Sequence, residues 1–172
     1  PLDELDPELD PELGLVILYT SGTTGLPKGA LISQRAMIAR ALVYATDYGI
    51  GRAHSYIAWS PLFHMAATDH ALATLLLGGH LHIADGLDLE RIVQLLCTEP
   101  VGWLLAMPGV IEPLIDALRP VADRLIAPRM VGAMAYLLPR QQIAELTRLL
   151  RAPYLNSFGS TETGLPPASA AL

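Results

Sequence analysis

From residue 55 onward, short apolar runs alternate with longer segments of helical character, and this alternation restricts the fold more than any other feature of the chain. SYIAW, HLHIA, VGWLLAM, RMVGAM and YLNSFG read as strands. Between them, a segment from about Met65 to Leu77, LERIVQLLC, GVIEPLIDALRP and PRQQIAELTRLLR read as helices. Strands separated by helices pair in parallel, so the predicted fold class is α/β, a mostly parallel sheet with helices on both faces. Upstream, LVILYT at 15–20 and ALIS at 30–33 are two more short strands. They precede QRAMIARALVYATDYG, whose apolar positions 37, 38, 41, 42 and 45 recur at helical spacing. Ser33 is the expected N-cap of that helix and Gly49 its stop. Gly78 and Gly79 end the helix that starts near Met65, and Asp88 caps the next one. Pro113 is tolerated only in a first turn, and Pro139 takes an early position in the last helix.

The stretch YTSGTTGLPKG at 19–29 follows the first apolar run and holds three glycines, four Ser or Thr hydroxyls and one lysine. Glycine lets such a loop curl and lets a ligand approach its backbone. Successive N–H groups converge on an anion, Thr20, Ser21, Thr23 and Thr24 supply hydroxyl donors, and Lys28 adds a positive charge. The composition therefore fits a phosphate cradle, with a surface turn rich in small polar residues as the alternative. Neither common nucleotide motif is present. Lys28 sits between Pro27 and Gly29 rather than between Gly and Ser or Thr, and the glycines fall at 22, 25 and 29.

TSGTTGLPKG resembles the phosphate-loop signature of the adenylate-forming superfamily, which includes acyl- and aryl-CoA synthetases, peptide-synthetase adenylation domains and beetle luciferases. Two further fragments follow in that family's order: PLFHMAA at 61–67 and NSFGSTETG at 156–164, the latter resembling the segment with the family's Thr-Glu pair. The resemblance spans residues 13–165 and implies the central part of a larger N-terminal domain. On this reading 1–13 form an acidic lead-in and 14–172 a central AMP-binding subdomain. The implied activity joins a carboxylic acid to ATP, giving an acyl-adenylate and pyrophosphate, with the acyl group then passed to the thiol of coenzyme A. A carrier protein as acceptor, a luciferase-like oxidation and a non-catalytic nucleotide-binding relative are the other readings that the resemblance leaves open.

The resemblance also implies residue roles. Thr20, Ser21, Gly22, Thr23, Thr24, Gly25 and Lys28 would wrap the β- and γ-phosphates. Thr161 would donate to the α-phosphate, and Glu162 would bind Mg²⁺. Gly132, Ala133 and Met134 would flank the adenine, and Asn156, Ser157, Phe158 and Gly159 would complete the nucleotide site; Phe158 stands where the family commonly has Tyr. His64 would stand at the mouth of the acyl pocket, positioning more than transferring protons, with Met65, Ala66 and Ala67 lining it. Amino-acid-activating relatives carry an Asp near this motif, whereas Asp69 lies a turn too late, which disfavours an amino-acid substrate.

Charge narrows the partners. Six acids and no base occupy residues 1–12, so the remaining 17 - 6 = 11 acids balance 11 bases. That neutral body offers no basic face for nucleic acid. No run reaches the roughly 18 apolar residues of a membrane helix. A single cysteine, Cys97, rules out an internal disulfide and fits a reducing compartment, so a cytoplasmic location is expected. The chain opens at Pro1, and a mean hydropathy of +0.39 is high for a free-standing domain, so it is expected to be a piece of a longer protein. His80 and His82 alternate on one strand and share a face, but a zinc site needs three or four protein ligands, so they are read as structural.

Overall fold

The structure is a computed structural model that describes residues 9–20, 25–133, 138–157, 159–165 and 170–171. Two short strands come first, β1 (Gly14–Thr20) and β2 (Lys28–Ser33). Helix α1 (Gln34–Thr46) leaves β2 directly, because the Ser33 side chain accepts a hydrogen bond from the Ala36 N–H and frees the backbone to turn. Then follow β3 (Ser55–Ala58), α2 (Met65–Leu76), β4 (His80–Ile83), α3 (Leu89–Thr98), β5 (Val101–Leu105) and α4 (Ile111–Leu118). A 3-10 turn at Arg119–Val121 leads on to β6 (Met130–Ala133), α5 (Arg140–Leu150), β7 (Tyr154–Asn156) and β8 (Ala170–Ala171).

The main sheet has the order β4-β3-β5-β6-β7-β8, and its first five strands run parallel. Every residue of β3 and of β5 is buried. That continuous burial is what a central parallel strand covered on both faces requires. The chain steps from β3 to β4 in one direction and from β4 back across to β5 in the other. Right-handed crossovers then place α2 on one face and α3, α4 and α5 on the opposite one. The packing agrees: α1 lies on α2, while α4 packs between α3 and α5. Between α1, α2 and the sheet sits an aromatic group of Tyr44, Tyr48, Tyr56, His70 and Trp103.

Two expectations need correction, and one strand was not foreseen. β1 and β2 do not extend the parallel sheet; they pair antiparallel as a separate ribbon. The link between them, residues 21–27, is too short for the crossover that parallel neighbours demand. This ribbon has its own small core of Leu18, Ile32 and Met37. Helix α1 ends at Thr46 with Asp47 as its C-cap, and Gly49 stops it as expected, with φ of +64° and the Ile50 N–H donating back to the Tyr44 carbonyl. Pro139 precedes α5 with ψ of 131°, so the helix begins at Arg140. The last strand of the sheet, β8, is antiparallel to β7 and was not expected. Among the described residues no helix is long and apolar enough to cross a membrane, and no group of three or more His, Cys, Asp or Glu could hold a metal ion. His82 Nε2 instead lies 3.9 Å from Glu99 Oε2.

Candidate functional site

The loop that joins β1 to β2 is anchored by a register pair at its two ends. Thr20 stands opposite Lys28, and its hydroxyl donates to the Lys28 carbonyl at 3.4 Å. Lys28 itself is exposed. Gly25 has φ of +89° with open space around it, so conformation and not crowding calls for glycine there. Ser21, Gly22, Thr23 and Thr24 lie outside the described residues. Of the three motifs, two follow the carboxyl ends of parallel strands, β3 and β7. The first belongs to the ribbon.

His64 follows β3 and caps α2. Its Nδ1 accepts the Ala66 N–H at 3.3 Å, which occupies that nitrogen's lone pair, and the residue is exposed. Met65 packs onto the ribbon's core and Ala66 is half-buried. Ala67 is fully buried, so it does not line an open acyl pocket as expected. The reason is helical geometry, which turns Ala67 inward among the buried residues of α2. The carboxyl ends of β3 and β4 frame an open pocket of about 370 Å³, with Trp59, Ser60 and Leu62 on one side and Ile83, Ala84 and Asp85 on the other.

Beyond β7 the chain makes a compact turn. Ser160 and Gly164 form an isolated bridge, and the Thr163 and Gly164 N–H groups both donate to the Ser160 carbonyl. Ser160 Oγ lies 3.1 Å from Thr163 Oγ1. Gly159 admits no side chain, since a Cβ would stand 2.6 Å from the Gly164 carbonyl oxygen. Glu162 is exposed and Thr161 half-buried. Hydrogen bonds from the Glu162 backbone and then from the Ser160 side chain hold the Glu162 carboxyl below the usual carboxylate range.

The neighbouring strand ends complete the edge. Asn156 closes β7 opposite Ala133, with Ser157 half-buried beyond it. Met134 and Phe158 lie outside the described residues. Gly132 carries the Trp103 ring against its backbone, where a Cβ would approach ring carbons to 2.3 and 2.5 Å. Its carbonyl accepts the Ala106 N–H.

Two residues that sequence reasoning passed over hold this turn. The Arg40 Nη2 donates to the carbonyls of Thr161 and Glu162, each at 3.0 Å, and its Nη1 reaches both carboxylate oxygens of Asp69 at 2.9 and 3.1 Å. Both partners are buried. Asp69 is thus committed to Arg40, which keeps it from pairing with a substrate ammonium. The signal was available: Met37, Arg40, Ala41 and Tyr44 form the buried stripe of α1, and an arginine on such a stripe needs a partner.

Comparisons with known proteins give the family and the fold. The family described as AMP-binding enzyme matches residues 2–169. The 4-chlorobenzoate–CoA ligase of Pseudomonas sp. (strain CBS-3) is 30% identical over 159 residues, covering 91% of this chain and 30% of that protein. A long-chain-fatty-acid–CoA ligase of Thermus thermophilus is 31% identical over 166 residues, covering 94% of the chain and 30% of that protein. Among solved structures, the O-succinylbenzoate coenzyme A synthetase of Bacillus subtilis in complex with ATP and magnesium ion superimposes with a TM-score of 0.76 at 20% identity. It is matched over 98% of this chain and 35% of its own. The chain therefore spans about a third of the length of the relatives it matches.

Proposed function

Because this chain belongs to the AMP-binding enzyme family, we propose that the full-length protein activates a carboxylic acid with ATP and then forms its thioester with coenzyme A. In the first step a carboxylate oxygen attacks the α-phosphorus, the bond to the β-phosphate oxygen breaks, and pyrophosphate leaves with the electron pair. The acid is already ionised near neutral pH, so no base is needed. What the step requires is neutralised phosphate charge and two anions held together. The observation that carries the reading is the Thr161–Glu162 turn, an exposed carboxylate kept ionised on a buried support.

Lys28, exposed where the loop enters β2, is the proposed cation for the phosphates, with Thr20, Ser21, Gly22, Thr23, Thr24 and Gly25 as the cradle. Among the described residues no group of three or more His, Cys, Asp or Glu includes Glu162, and a single carboxylate suits Mg²⁺, which keeps several waters and is shared with substrate phosphates, better than zinc or calcium. When bound, that ion would neutralise developing phosphate charge. Thr161 would orient the α-phosphate, and Gly132 to Met134 with Asn156 to Gly159 would bound the adenine. His64, tied to the α2 N-terminus, serves positioning.

The relatives act on an aryl acid and a long-chain fatty acid at nearly equal identity. The acid is therefore assigned only as a carboxylate other than an amino acid, the latter disfavoured by the Arg40–Asp69 pair. The test is carboxylate-dependent ATP–pyrophosphate exchange by the full-length protein with aryl and fatty acids, followed by thioester formation on adding coenzyme A. Lys28→Ala should lower exchange by the roughly 10²- to 10³-fold typical of losing one electrostatic contact to the transition state. Absence of exchange with every acid, or exchange indifferent to Lys28, rejects the proposal.

A further inference from the structure

The Arg40 guanidinium reaches across 121 residues of sequence to the Thr161 carbonyl. Its side chain is 6% exposed and that of Asp69 0%. The Nη1 of the guanidinium is taken by Asp69 and the Nη2 by two consecutive main-chain carbonyls, so its donors are distributed between a carboxylate and a turn. The stem of Arg40 fills the space beside Gly164, whose φ is +66° and where a Cβ would stand 2.8 Å from Arg40 Cδ and Nε. Residues 161, 162 and 164 therefore all meet one side chain.

Stability alone does not account for such a pair. Taking two charges out of water is costly, and well-packed apolar residues of the same volume commonly stabilise as much or more. An arginine is nonetheless the side chain whose planar fork spans a carboxylate and two carbonyls at once, which a lysine's point charge does not. What the pair supplies is a fixed position for the Thr161–Glu162 backbone.

We propose that Arg40, oriented by Asp69, is a positioning residue that sets the Thr161–Glu162 turn for binding the magnesium–nucleotide. The inference rests on the reading of Glu162 given above. Arg40 touches no reacting atom; it acts by drawing the two carbonyls inward while the Glu162 carboxylate stays exposed.

The test uses the full-length protein with Arg40→Lys and Asp69→Asn, each close in size to the residue it replaces. Two quantities are measured: the Kd for ATP with and without magnesium chloride, and amide hydrogen exchange over residues 159–165. Both variants should bind ATP without magnesium as the wild type does. The gain in affinity on adding magnesium should shrink by about 10- to 100-fold, the usual effect of removing a residue that orients a metal ligand. Exchange should quicken in the turn and stay unchanged in α3 and α4. In the double variant Arg40→Lys with Glu162→Gln, the magnesium-linked gain should be no smaller than with Glu162→Gln alone. Should either ion-pair variant fail to fold, Gly164→Ala disturbs the same contact from the turn's side with both charges intact, and is expected to reproduce the loss.

The outcomes separate the two claims. If Glu162→Gln leaves the magnesium-linked gain intact, the reading of Glu162 is wrong and this inference falls with it. If Glu162→Gln abolishes the gain while Arg40→Lys and Asp69→Asn preserve it, the inference alone is overturned. A further independent loss in the double variant overturns it too.

Discussion

Glu162 shows how the ionised form of a surface carboxylate can be favoured by very local means. Its own backbone and the Ser160 hydroxyl stabilise the charged form and lower its pKa. The sign follows: a depressed folded-state value keeps the group ionised at neutral pH, and that charge is lost only as the pH falls through the lowered value. Ser160→Ala removes one donor, so the Glu162 titration followed by carboxyl NMR should move up toward the ordinary carboxylate range. A midpoint that stays or drops would show that Ser160 does not set it. The sequence pointed to Thr161 and Glu162 through their motif, yet it did not point to Arg40 or Asp69. Motifs record residues close in sequence, whereas this clamp links positions 40, 69 and 161 through the fold. Its trace was a charge on an apolar helical stripe, which is an anomaly of position and not of spacing.

Elements were legible where their causes are local. Ser33 and Asp88 cap α1 and α3 as expected, since Ser and Asp side chains readily accept first-turn N–H groups. The cap of α2 was missed because histidine is not among the favoured capping residues, although His64 Nδ1 does the same work. Asp88→Ala removes the oxygen that accepts the Arg91 N–H at 2.9 Å. It should cost about 1 kcal/mol in urea denaturation without altering adenylation. A loss near zero would mean that water replaces the cap fully. Strand pairing was less legible, because a strand's partner is decided by what the rest of the chain leaves open. The run at 15–20 has the apolar character of a sheet strand, yet a short link to ALIS commits it to a hairpin. Strand β8, two residues long, has no periodicity to read.

At the scale of the whole molecule, the aromatic group beneath α1 and α2 links stability to pH. His70 stacks on Tyr56 with ring centroids 5.2 Å apart and lies 4.6 Å from the Trp103 ring, and burial lowers its pKa from 6.5 to about 4. Here the folded value lies below the unfolded one, so between those limits only the unfolded chain takes up the proton. Stability should therefore fall as the pH drops through this window, with a slope approaching about 1.4 kcal/mol per pH unit. Comparing urea midpoints at several pH values for the wild type and for His70→Gln isolates the term, and equal slopes would refute it. The same architecture leaves the Lys28 loop and the Glu162 turn on different bodies, one on the ribbon and one on the parallel sheet, with α1 running from the first to the second. That makes α1 a keyed shaft in which angular phase matters as much as composition. One alanine inserted between Met37 and Arg40 would rotate everything beyond it by about 100°, swinging the guanidinium off its seat while Met37 stays in the ribbon's core. Four inserted residues would nearly restore the angle but lengthen the shaft by about 6 Å. Neither insertion should leave wild-type pyrophosphate exchange in the full-length protein, although neither touches a residue proposed to meet the nucleotide.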